Sequence, residues 1–131
     1  MFEWKLCLCP HEQCKNENPK TIAALTALGY ETIPATVPGN FELDLMREKR
    51  LPDLYFSTDT LAAEDMENRH VWYYTTFETD EPESVLRLEG VDTAADIFVN
   101  GTLVCQTDNM FLPVEIDGGF RRGQNEIVVH I

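Results

Sequence analysis

Ala95-Asp96-Ile97-Phe98-Val99-Asn100-Gly101-Thr102-Leu103-Val104-Cys105 is the stretch that decides the fold. Asn100-Gly101 lies between two apolar runs. A type I′ turn needs φ > 0 at both central positions, which Asn and Gly adopt at little cost. Residues 95–105 therefore read as a β-hairpin. The same two-residue period continues on both sides. Upstream, Val71, Tyr73, Thr75 and Phe77 share one face of a strand, and Trp72, Tyr74 and Thr76 share the other. Asp80 to Glu83 is an acidic turn containing a proline, and Val85 to Leu88 is the next strand. Downstream, Met110, Leu112, Val114 and Ile116 alternate, with Pro113 marking an edge position. Gly118-Gly119 and Gly123 turn the chain before Ile127, Val129 and Ile131 form one apolar face.

The first half is less regular. Trp4 to Leu8 alternates and reads as a short strand, with Trp4, Leu6 and Leu8 on one face and Cys7 and Cys9 on the other. One helix is expected between Asn18 as cap and Gly29 as terminator. Pro19 would take its first position, and Ile22, Leu25 and Leu28 its apolar stripe. After Ile33 the pattern breaks. Val37 to Asn40 is a turn, Phe41 to Met46 makes one or two helical turns, and Leu51-Pro52-Asp53 opens a long loop reaching Asn68. Many short alternating strands with tight turns and a single good helix predict an antiparallel β-sandwich of jelly-roll kind. No repeat or low-complexity segment is evident.

A chain of 131 residues with 44% hydrophobic content has the size and core of one domain. Its net charge is -13, from 10 basic and 23 acidic residues. That balance excludes nucleic acid and anionic membrane surfaces, which demand clustered Lys and Arg. No apolar run approaches the ~20 residues that span a bilayer. Met1 to Cys7 lacks a basic n-region and an apolar h-region, so the protein is expected in the cytoplasm unless a leader has been removed. The four cysteines agree with that expectation. Cys7, Cys9 and Cys14 crowd together far from Cys105, unlike the spread cysteines of a secreted scaffold.

Several segments together resemble the family 2 glycoside hydrolases. Val37-Pro38-Gly39 with Asp44-Leu45, then Leu51-Pro52-Asp53-Leu54-Tyr55, is similar to the family's V-P-G, D-L and (I/L)-P-D-P-Y run. Trp72-Tyr73 with Phe77 resembles its aromatic strand. Leu88-Glu89-Gly90-Val91-Asp92 and Phe98-Val99-Asn100-Gly101 resemble its F-x-G-V-D and N-G hairpin. Asn109 to Pro113 and Gly123 to Ile127 resemble its N-x-F-x-P and G-x-N-x-(L/I) segments. The likeness covers Thr36 to Ile131 and leans towards β-mannosidases. Cys9 to Tyr30 lies outside the recognised pattern.

The resemblance implies a galactose-binding-like jelly-roll sandwich over residues 1–131 with one short N-terminal helix, cut from a longer multidomain glycosidase. A later G-(I/V)-W strand completes the sandwich in the family, so the last strand or strands are expected to be missing here. The catalytic carboxylates of the family belong to a (β/α)8 barrel, and retaining hydrolysis places them roughly 5 Å apart. No catalytic residue, metal or cofactor is therefore expected in this chain. The expected partners are the barrel and other domains of the same polypeptide, with a carbohydrate as the parent's substrate. Two rival readings remain open, a free-standing carbohydrate-binding module and a sandwich used only for protein contacts.

Acidic pairs such as Glu64 with Asp65, or Asp92 with Asp96, read as solvated surface among so many acids. Cys7, Cys9, His11 and Cys14 offer ligand types suited to zinc, but not at a knuckle's spacing. Trp72 and Tyr74 are the aromatic candidates. They would stack on a sugar, pack against another domain, or lie under the 53–68 loop. By position in the family, the strand entrance at Asn68 and Arg69 is the substrate-proximal candidate, with donors for sugar hydroxyls. His70 and His130 read as structural, Asn100 as a turn residue, and Asn109 as loop geometry.

Overall fold

The computed structural model describes residues 2–56 and 58–131, without the side chain of Asp65. In chain order the strands are β1 (Trp4–Pro10), β2 (Thr32–Ala35), β3 (Arg69–Thr79), β4 (Val85–Leu88), β5 (Ala95–Val99), β6 (Thr102–Thr107), β7 (Val114–Asp117) and β8 (Gly123–His130). The helices are α1 (His11–Cys14), α2 (Ile22–Ala27) and α3 (Phe41–Arg47), with a 3-10 helix over Asp59–Met66. Two antiparallel sheets result, one of six strands ordered β2-β1-β3-β8-β5-β6 and one of two strands, β4-β7. The 95–105 hairpin forms as expected, with Asn100 at φ 49° and Gly101 at φ 82°.

The alternation of each strand sorts its side chains between two cores. Leu6, Tyr73, Ile97, Val99, Ile127 and Val129 fill the space under the two-stranded sheet. Cys7, Cys9, Trp72, Tyr74, Phe98 and Val128 project from the other face of the large sheet. That outer face is not open to solvent. Leu25 of α2 and the thiol of Cys14 are buried against it, and Ile22 and Tyr30 pack around them. The run Val71-Trp72-Tyr73-Tyr74-Thr75 is consequently buried on both sides, so this strand lies in the middle of three layers.

The N-terminal segment forms that third layer, and here the structure corrects several expectations. The helix starts later than Asn18. Thr21 is extended at φ −129° and ψ 157°, and its hydroxyl accepts the Ala24 N–H at 3.1 Å, capping α2. Pro19 stays outside the helix and is buried. Gly29, at φ 74°, ends the segment as expected. The pattern does not break at Ile33: Thr32 to Ala35 is a strand on the sheet edge, paired in register with Trp4 to Cys7. The long loop carries the 3-10 helix. Met110 and Leu112 do not belong to a strand. The Asn109 side chain accepts the Phe111 N–H at 3.0 Å and bends the chain, leaving Phe111 83% exposed. Pairing resumes only after Pro113, at Val114.

Two buried polar residues bind elements together. Asp44, 1% exposed, accepts the Thr36 N–H on both oxygens at 3.1 Å and takes an Arg47 N–H at 2.7 Å. It thereby fixes α3 to the end of β2. Asn125, also 1% exposed, bonds the backbone of Arg121 and Gly123 and the side chain of Asn100. Asn100 thus does more than turn the hairpin. Its amide also donates to Gly119 O at 3.0 Å, and its oxygen accepts the Glu126 N–H at 3.1 Å.

Candidate functional site

Strand register builds a polar constellation from single residues of different strands. Trp72 lies opposite Cys7 on one side and His130 on the other. His130 lies opposite Asp96, which lies opposite Gln106. One outer-face row therefore runs Cys7–Trp72–His130–Asp96–Gln106 across five strands. His70, opposite Cys9, stands one step towards the strand entrance. The His130 ring stacks on Trp72 with centroids 4.7 Å apart and planes at 14°, and His70 stacks on the same indole at 5.7 Å.

The imidazoles are joined. His11 Nδ1 contacts His70 Nε2 at 2.7 Å, and His70 Nδ1 contacts His130 Nε2 at 2.7 Å. Asp96 accepts from Gln106 Nε2 at 2.7 Å. Beside this chain lies an open cavity of about 570 Å³, lined by His70, Asp96, Gln106, Asp108, His130 and Ile131 among others. Burial lowers the pKa of His70, and the neighbouring His11 lowers it further. Burial and His70 lower that of His130, with Asp96 opposing. Both inner rings therefore favour the neutral form.

Of the residues singled out from sequence, Asn68 and Arg69 lie next to this cluster. Asn68 is exposed in the turn before β3, and its carbonyl accepts the His11 N–H at 2.9 Å. Arg69 opens β3 opposite Pro10. Trp72 and Tyr74 do project away from Val71 and Tyr73, but they are 0% and 7% exposed. What covers them is not the 53–68 loop. It is the N-terminal layer, with Tyr30 stacked on Trp72 at 6.2 Å and 15°. The Trp72 indole N–H has no partner among the described residues. His11, Asp96 and Gln106 went unread as parts of one site. The available signal was phase, since His70 shares the alternation of Trp72 and Tyr74.

The cysteines do not converge on His11, whose ring turns to His70. Cys14 Sγ instead points to the carbonyl of Pro10 at 3.1 Å. All four cysteines are free. Burial, with Cys9 beside it, raises the Cys7 thiol to about 11. Burial first, then contact with Cys9, raises Cys14 to about 12. Neither supplies thiolate at neutral pH. Titration of the folded chain with a chromogenic disulfide near neutral pH should accordingly label one thiol of the four, the partly exposed Cys105. Rapid labelling of all four without denaturant would contradict the buried N-terminal layer.

Of the acidic pairs, Asp96 engages Gln106 across the sheet and Asp92 lies exposed in the preceding loop. Glu64 is exposed on the 3-10 helix, and the Asp65 side chain lies outside the described residues.

Residues 13–131 match the family described as glycosyl hydrolase 2 galactose-binding domain-like. The chain belongs to this family. The match starts well before Thr36, so α2, which had fallen outside the recognised pattern, is part of the domain. Over 98 residues the chain is 33% identical to β-mannosidase B of Thermothelomyces thermophilus, covering 70% of this chain and 12% of that protein. It is 33% identical over 93 residues to the β-mannosidase of Rattus norvegicus, covering 65% of this chain and 10% of that protein. Its fold superposes on the β-D-mannosidase of Dictyoglomus thermophilum with a TM-score of 0.74 at 26% identity, covering 98% of this chain and 14% of that one. An exo-chitosanase of Amycolatopsis orientalis shares the fold alone, with a TM-score of 0.75 at 18% identity. The chain is thus a galactose-binding-like sandwich of the glycosyl hydrolase 2 family, and it spans about an eighth or less of the length of these two β-mannosidases.

Proposed function

We propose that this domain serves a retaining glycosidase acting on terminal β-mannosides or related β-glycosides. It scaffolds the catalytic barrel and helps to shape the mouth of its pocket. The observation that carries this reading is a groove of about 510 Å³ between the sheets. Apolar side chains of Trp4, Phe41, Val71, Tyr73, Val91 and Val129 line it, and residues 87–92 form its rim. Among the described residues β4 pairs with β7 alone, so its outer edge presents backbone groups to the groove. An extended segment laid along that edge would gain ladder hydrogen bonds and cover the apolar lining. Further polypeptide of the same protein is the natural donor, as in a sandwich completed by a later strand.

The rival carbohydrate-binding module would use Trp72 and Tyr74 as its sheet-face platform, and their burial counts against that use. The free thiols support a reducing compartment, and with it a cytoplasmic parent. Two measurements test the proposal. The purified 131-residue chain should release no p-nitrophenol from p-nitrophenyl β-mannoside above a mock preparation. The gene should continue past the Ile131 codon into a barrel carrying two well-placed glutamates. Turnover by the chain alone, or a stop codon there, refutes it.

A further inference from the structure

We propose that His11, His70 and His130 form a pH-gated latch that ties α1 to the entrance of β3 while carrying at most one added proton, and releases α1 when a second arrives. Three neutral imidazoles hold three N–H protons. Two of these make the contacts His11–His70 and His70–His130, both 2.7 Å. The third occupies one terminal nitrogen, His11 Nε2 or His130 Nδ1. A first added proton fills the other terminal nitrogen and breaks nothing. A second must enter a nitrogen that is accepting, which sets two N–H groups against each other and adds a second charge to the linked rings.

The release falls at His11. His70 and His130 sit on adjacent strands and both stack on the buried Trp72. His11 is exposed on the four-residue α1. Besides its ring contact, its junction with β3 is the bond from His11 N–H to Asn68 O. The titratable groups facing the inner rings are His11 from α1, Cys9 from β1, Asp96 from β5 and Asp108 from the segment after β6. Cys9 lies opposite His70 and Asp96 opposite His130, and of the two it is Asp96 that favours the charged ring. Burial and ring-to-ring repulsion outweigh it, because both inner rings are shifted downward. A base whose folded pKa is lowered stabilises the neutral state. The latch is therefore closed above the unfolded-histidine value of about 6.5 and loosens as pH falls below it. The switch requires neither sugar nor a second domain.

Histidine-ring and backbone-amide NMR of the 131-residue chain, from about pH 8 down to about pH 5, tests this. His70 and His130 should stay neutral to lower pH than a histidine peptide. The His11, Asn68 and Arg69 amides should shift with the same midpoint as the His70 ring, while Phe98 and Thr102 in the hairpin do not. In His11→Gln, an exposed and conservative change, the His70 midpoint should rise by about half a pH unit or more as a like charge is removed. In His130→Gln the His11–His70 contact survives, and the Asn68 amide should still follow His70. The latch is overturned if His70 titrates like a free peptide, if His11→Gln leaves its midpoint in place, or if Asn68 ignores it. Uptake of Zn²⁺ by the three rings at neutral pH, reversed by a chelator, would also overturn it in favour of a metal link.

Discussion

Truncating Trp72 to alanine lowers the unfolding free energy by about 3–5 kcal/mol, a large part of the roughly 5–15 kcal/mol that holds a domain folded. The indole is fully buried, packed between Tyr30 on one side and the His70 and His130 rings on the other. Its removal leaves a cavity at the seam between the large sheet and the N-terminal layer. Tight packing on both sides leaves little room for collapse. Trp72→Phe should cost far less, since the indole N–H has no partner to lose among the described residues. Urea unfolding followed by circular dichroism measures both, with an unchanged m-value showing that stability alone has moved. A loss below about 1 kcal/mol for the alanine variant would mean an accessible indole, as a sugar-stacking platform requires.

Asn125→Asp should cost about 2–4 kcal/mol near neutral pH although it changes one atom, because its hydrogen-bond pattern has a direction. The Asn125 amide donates to Arg121 O at 2.8 Å and Gly123 O at 3.0 Å, while its oxygen accepts from Arg121 N–H and Asn100 Nδ2, both at 2.8 Å. A carboxylate still accepts, but it turns a buried oxygen towards two carbonyls. Protonation would restore a donor, so the fold raises the pKa of the new carboxyl. The sign follows. The deficit is smallest below the ordinary Asp value of about 3.9 and grows as pH rises above it. Asn125→Ala should lose about 2–3 kcal/mol with no such pH dependence, since water reaches part of the freed backbone at the exposed Arg121. Equal losses for Asp and Ala variants at every pH would show that the amide's direction does not matter.

Much of the fold was legible because its signals are local. The Asn100-Gly101 turn, the two-faced strand from Val71 and the closing run from Ile127 all depend on residues a few positions apart. The N-terminal layer was harder to read. Thr21 won the cap over Asn18 through its own hydroxyl, and Thr32 to Ala35 became a strand because Trp4 to Cys7 supplies its partner. Neither outcome follows from propensity. The 109–113 segment misled in the opposite direction, since its alternation was real but a side-chain turn at Asn109 and the proline halted pairing.

The candidate site shows the same division. Position puts Asn68 and Arg69 at the strand entrance, and period puts His70 and His130 on strands. Their meeting was invisible, because His11 and His70 are 59 residues apart and His70 and His130 are 60 apart. By itself the sequence determined which segments are strands, where they turn, and which side chains share a face, since backbone sterics and period set those locally. Only the tertiary structure decided that Trp72 is covered and that three histidines join. Strand order and register arise when distant segments bury their faces together, and no short window of residues contains that contact.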